Sequence, residues 1–145
     1  MKFFAVAFPA ALLMASVAAA DPIEDREELM EGRADQMKIL VPIAQARQPF
    51  DAATVMAALQ TLNENAQAGL NIDALWPEGS EGGDTLPAVW TDRAGFQAAA
   101  EKFATDVSAA VEANPQDLES YQAAFRAVAA NCSSCHENFR DPDED

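Results

Sequence analysis

Beyond residue 20, apolar residues recur at helical spacing, about 3.6 residues, in four stretches, and no stretch alternates as a strand would. The first stretch covers about residues 23–46. Its inward stripe reads Met30, Arg33, Met37, Leu40, Val41, Ala44. Pro22 suits a first helical turn, whereas Pro42 falls inside the pattern and is expected to kink or loosen the last turn. The second stretch follows Pro49-Phe50 with Asp51 as N-cap, and carries Val55, Leu59, Leu62 and Ala66 to about Ala68. Residues 69–87 then form a long connection. The Gly, Pro, Ser and Asp content of PEGSEGGDT predicts an irregular loop there.

The third helix is expected to start with Thr91 or Asp92 as cap and to carry Phe96, Ala99, Phe103, Val107 and Ala110. Asn114-Pro115 is expected to end it and to open the fourth, Asn as N-cap and Pro in the first turn. The fourth stripe is the cleanest. Leu118, Tyr121, Phe125, Val128, Cys132, Cys135 and Phe139 follow one another at intervals of 3, 4, 3, 4, 3 and 4. The expected fold is therefore all-α: an antiparallel four-helix bundle with one long loop between helices 2 and 3. The absence of an internal repeat disfavours a helical array.

The residues before this pattern behave differently. Lys2 is followed by an apolar run to about Val17, and Ala18-Ala19-Ala20 offers small residues for cleavage. Residues 1–20 read as a secretory signal peptide, and the run is shorter than the roughly 20 apolar residues of a membrane span. The mature chain is then one domain, residues 21–145, exported to a bacterial periplasm. Losing Lys2 leaves 8 basic against 24 acidic residues and takes the formal charge from −15 to −16. Such a surface repels nucleic acid and anionic lipid and favours a basic partner or plain solubility. Half of the residues are hydrophobic, which argues for a packed domain rather than disorder.

Both cysteines and the single histidine of the chain fall within NCSSCHENFR, residues 131–140. Three chemistries use such a group. A redox Cys-x-x-Cys disulfide sits at a helix N-terminus after a strand, and neither feature is expected here. A structural zinc needs four ligands, and the fourth would have to be a carboxylate. Covalent haem needs all three residues at this spacing. The two thiols of Cys132 and Cys135 add across the two vinyl groups on one porphyrin edge, and His136 is held beneath the iron as axial ligand. One haem c per chain is expected, and the single histidine excludes bis-histidine coordination within the chain.

With the haem motif at the end of a four-helix chain, the mature sequence resembles the class II c-type cytochromes: cytochrome c′ and its low-spin relatives of the cytochrome c-556 type. Besides Cys132-Ser-Ser-Cys135-His136 with Phe139-Arg140, the likeness rests on Arg33-Ala-Asp-Gln-Met37 and on the loop from Trp76 through Asp84 to Trp90. The resemblance implies haem wedged between the helices, Cys132 and Cys135 as thioether anchors, and His136 as proximal ligand. It also implies Arg33 and Asp84 near the haem edge, Met37 over the distal face and, in many members, a homodimer through the first two helices. The family commonly has Gln after the helix-one Arg; Ala34 stands there in this chain.

Met37 has two readings, sixth ligand through sulfur or a core methionine filling space above the haem. Met30, seven residues earlier, is a second candidate ligand, and Met56 reads as core. Arg33 on an inward stripe needs an anionic partner, which a haem propionate would supply, and Arg140 offers the same. Trp76, Trp90 and Phe125 read as packing rather than electron relays, and residues 141–145 as a solvated, frayed end. The two functions that follow are an electron carrier docking on a basic redox partner, if Met37 ligates, and a five-coordinate nitric oxide or carbon monoxide binder, if it only packs. No acid–base pair on the distal stripe suggests an enzyme.

Overall fold

The computed structural model describes residues 21–142. The expected signal peptide and the last three residues lie outside them. Helices α1 (Pro22–Ala44), α2 (Ala52–Ala68), α5 (Arg93–Glu112) and α6 (Leu118–Phe139) are the four long ones. Each packs on two neighbours, in the ring α1–α2–α5–α6. The structure is thus the antiparallel four-helix bundle that the apolar spacing predicts. Among the described residues there is no strand, only an isolated antiparallel bridge between Thr85 and Arg140.

The caps explain where the helices begin. Asp21, Asp51, Asp92 and Asp117 each accept a hydrogen bond from a backbone N–H of the first turn that follows. Asp51 and Asp92 are the residues that the pattern selected. The Asn114-Pro115 start is corrected. Asn114 has φ 43° and closes the turn after α5, and Pro115 is buried between the helices. Asn is among the few residues that enter the left-handed region at small cost, so it suits a helix exit. Asp117 caps α6 instead, in a reciprocal capping box with Ser120. The long loop is corrected too. It is irregular over PEGSEGGDT, but it contains one single-turn helix, α3 (Ile72–Leu75), and a second, α4 (Ala88–Thr91), follows it directly. Pro42 does loosen the end of α1, which stops at Ala44, and the N–H groups of Arg47 and Gln48 both donate to the Pro42 carbonyl.

The core splits in two, and the split positions the site. One cluster runs along the bundle through Leu40, Val55, Leu59, Val107, Tyr121 and Phe125 and reaches Leu62 and Phe103 near Cys132. The other, Ile72, Trp76, Val89 and Phe96, lies where the long loop crosses one end of the bundle. Tyr121 is fully buried against Phe50 and Phe125, and its hydroxyl donates to the Leu40 carbonyl at 2.7 Å. This bond ties α6 to α1. Tyr121→Phe is expected to cost about 1 kcal/mol, seen as a lower denaturant midpoint at unchanged slope.

Candidate functional site

The last turns of α6 carry the haem-type motif into the gap between the two clusters. Cys132 and Cys135 are half-buried free thiols, and His136 shows one side to solvent. With Met30, Arg33 and Met37 of α1 they line one cavity of about 330 Å³. Leu62, Phe96 and Phe103 make much of the remaining wall, which is apolar. A second cavity of about 350 Å³ adjoins it and shares Met30, Ala34, Trp76, Phe96 and His136. Arg26, Glu27, Asp84 and Arg140 stand around that second space. Cavities of this size and apolarity suit a large flat ligand with a few polar anchors.

The helices aim these groups by simple periodicity. Arg33 and Met37 are four residues apart, hence on one face of α1. Cys132, Cys135 and His136 span little more than one turn of α6 and face the same space. Small residues on α5, Ala99 and Ala100, leave room opposite them.

The electrostatics fit a thiol pair and a neutral imidazole. Burial pushes both cysteine thiols up from their ordinary values, and the Arg33 guanidinium pulls them down by a smaller amount. His136 is held below its ordinary value, first by burial and then by the charges of Arg140 and Arg33. Neutral imidazole is the form that binds a metal.

Arg33 is anchored without an acidic partner. Its Nε donates to Asn65 Oδ1 at 2.8 Å, and its guanidinium lies 4.8 Å over the Phe103 ring. Asn65 is fixed in turn by donating to the Leu29 carbonyl. A side chain at Gly69 would run into the end of Arg33, so the glycine keeps this slot open. Among the described residues no carboxylate lies within 4.0 Å of it. Arg33 is therefore a cation in the cavity with hydrogen-bonding capacity left for an anionic ligand group.

Asp84 and Arg140, both expected at a haem edge, meet each other. Arg140 donates to Asp84 Oδ2 at 3.2 and 3.4 Å. Around this pair the loop is stitched to the chain end, with the Leu86 N–H on the Phe139 carbonyl and the Asp141 N–H on the Asp84 carbonyl. The expectation of a frayed end at Asp141 is corrected by that last bond; residues 143–145 lie outside the described residues. Trp76 walls both cavities, edge-on to Phe96, while Trp90 donates to the Pro77 carbonyl and Phe125 stays in the main core cluster.

Two residues escaped the sequence reading. Asn65 carried no signal, because its partner is 32 residues away. Arg26 did carry one: it precedes Arg33 by seven residues, on the same face of α1. It is only 4% exposed and holds the long loop by its carbonyls.

The donor set and the wall agree with covalent haem. Among the described residues no three or more Cys, His, Asp or Glu side chains are arranged to hold a metal ion directly. A family model described as Cytochrome C' matches residues 21–140. The chain is 35% identical over 130 residues to a cytochrome c-556 of Agrobacterium fabrum, covering 89% of this chain and 87% of that protein. It is 32% identical over 123 residues to a cytochrome c' of Alcaligenes xylosoxydans xylosoxydans, covering 83% and 93%. Among solved structures, a cytochrome c' from Rhodobacter spheriodes superposes with a TM-score of 0.77 at 27% identity, covering 83% of this chain and 95% of that one. A nitric oxide complex of a mutant cytochrome c prime from Alcaligenes xylosoxidans gives 0.73 at 29%, covering 83% and 94%.

Proposed function

Since the chain belongs to the cytochrome c′ family and is a haem c cytochrome, we propose that it is a periplasmic one-electron carrier, exported by a cleaved leader at residues 1–20 and folded as one domain over residues 21–145. One observation carries this reading: Met37 of α1 and His136 of α6 line the same apolar cavity from different helices. The bound haem supplies an iron that cycles between the ferric and ferrous states. Cys132 and Cys135 anchor it, and His136 offers a neutral nitrogen. Met37 would offer a thioether to the iron, a soft donor that would favour the ferrous state and a raised potential. Arg33 offers its free donors to a propionate, and Asp84 and Arg140 close the loop side. The apolar walls of Leu62, Phe96 and Phe103 would exclude water from the bound haem.

Without Lys2 the formal charge is −16, which steers the protein toward a basic redox partner. Mixing the ferric holoprotein with hexaammineruthenium(II), a cationic reductant, checks this. Reduction is expected to be fast at low salt and to slow as salt screens the surface. Slow reduction without salt dependence would count against a carrier.

A second reading has its own support. Met37 is partly buried against the main core cluster, so it has a packing role whether or not it ligates. With the iron five-coordinate, the protein would bind nitric oxide or carbon monoxide, as a solved relative does for nitric oxide.

A further inference from the structure

Arg26 is the one charged side chain buried outright among the described residues. Its guanidinium is satisfied by neutral acceptors. Nη2 donates to the carbonyls of Ser80 and Gly82, each at 2.8 Å. Nη1 donates to Ser80 Oγ at 3.2 Å and reaches the Leu75 carbonyl at 3.5 Å. The guanidinium also lies 5.8 Å over the Trp90 ring. These contacts meet its hydrogen bonds and leave its unit charge in place, since no carboxylate among the described residues lies within 4.0 Å of it. Glu27 and then Asp21 oppose it most strongly, but both are exposed and so screened by water and salt. A guanidinium stays charged even when buried.

This cation lines the same cavity as His136. The other cations of the site are placed differently: Arg140 shares its charge with Asp84, and Arg33 stands beside the thiols with donors left for a propionate. From this placement we infer that Arg26 is a fixed electrostatic element that raises the reduction potential of the site. Glu27, Glu31 and Asp84 line that cavity too, but none of them is in an ion pair with Arg26, and a positive charge held in the interior favours the less positive, ferrous state. The inference rests on the haem being held at this site, and it applies whether or not Met37 ligates.

The same guanidinium also shapes the loop, so charge and grip must be separated. Arg26→Met removes both. Arg26→Lys keeps the charge but cannot hold several carbonyls with one rigid fork. Ser80→Asp keeps Arg26 and its bonds to the Ser80 and Gly82 carbonyls, and replaces the Oγ acceptor of Nη1 by a carboxylate. Midpoint potentials are measured by spectroelectrochemistry on each holoprotein, and loop integrity by limited proteolysis within residues 77–84. Arg26→Met and Ser80→Asp are each expected to reduce the equilibrium constant for reduction roughly tenfold, which is about 59 mV for one electron, with Arg26→Lys near the parent. Unchanged potentials in Arg26→Met and Ser80→Asp would overturn the inference. So would a drop in Arg26→Lys as large as that in Arg26→Met, because the grip and not the charge would then be responsible. Should Arg26→Met fail to fold, Ser80→Asp decides alone. The spectra recorded in the same cell report spin state, so a high-spin parent would refute the carrier reading while leaving the Arg26 comparison intact.

Discussion

Alanine at both Cys132 and Cys135 is expected to abolish covalent haem altogether: the exported chain keeps the mass of the bare polypeptide. The reason is positional. Both thiols line the cavity from one helix face, and the described chain has no other cysteine to take their place. Either single variant keeps one thioether and one haem, with a shifted haemochrome band. The double variant should also lose much of its stability. Without haem the cavity of about 330 Å³ has no occupant against its apolar wall, and the stabilisation that a tightly held ligand gives the folded state is lost. Circular dichroism is expected to show helices retained at low temperature and a sharply lower unfolding midpoint. A double variant carrying stoichiometric covalent haem would contradict the assignment.

Met37→Ala is the second large effect. If the sulfur ligates, its removal leaves the iron five-coordinate. The ferric spectrum turns from low-spin to high-spin, carbon monoxide binds the ferrous form, and the potential falls. Two comparisons keep the result specific. Met37→Leu fills the same volume without a donor atom and should show the same spectral change at a stability cost below about 1.5 kcal/mol. Met30→Leu tests the other sulfur of the cavity, which lies 3.8 Å from the Arg33 guanidinium, and should leave the spectrum low-spin. A low-spin Met37→Leu protein would move the ligand elsewhere, Met30 first.

The pattern of apolar residues already held the four helices, and short-range chemistry held most of their starts. Asp51 and Asp92 were readable as caps because a cap acts over three residues. Asn114 and Asp117 show where that reading stops. Both can cap a helix, they lie three residues apart, and only the left-handed turn at Asn114 decides between them. The core of the site was equally local: Cys132, Cys135 and His136 sit within five residues, and Arg33 and Met37 within one helical turn.

What the chain order hid is what other segments bring. Asp84 and Arg140 are 56 residues apart, and their pairing depends on the loop folding back on the end of α6. Arg26 stands on the stripe of Arg33, but its acceptors come from carbonyls 49 to 56 residues later. Main-chain carbonyls leave no mark in a sequence, so a buried arginine held by them resembles any helical arginine. The one-turn helices α3 and α4 were hidden for a related reason: four residues are too few to show a period.

The central claim is that Met37 and His136 are the two axial donors of a carrier. Its most direct test is the absorption spectrum of the purified periplasmic holoprotein, ferric and ferrous, with and without carbon monoxide. The account predicts a low-spin ferric spectrum with an iron–methionine charge-transfer band and a ferrous spectrum that carbon monoxide leaves unchanged. A high-spin ferric spectrum, with a ferrous form that shifts on adding carbon monoxide, would contradict it and make this chain a binder of small gaseous ligands.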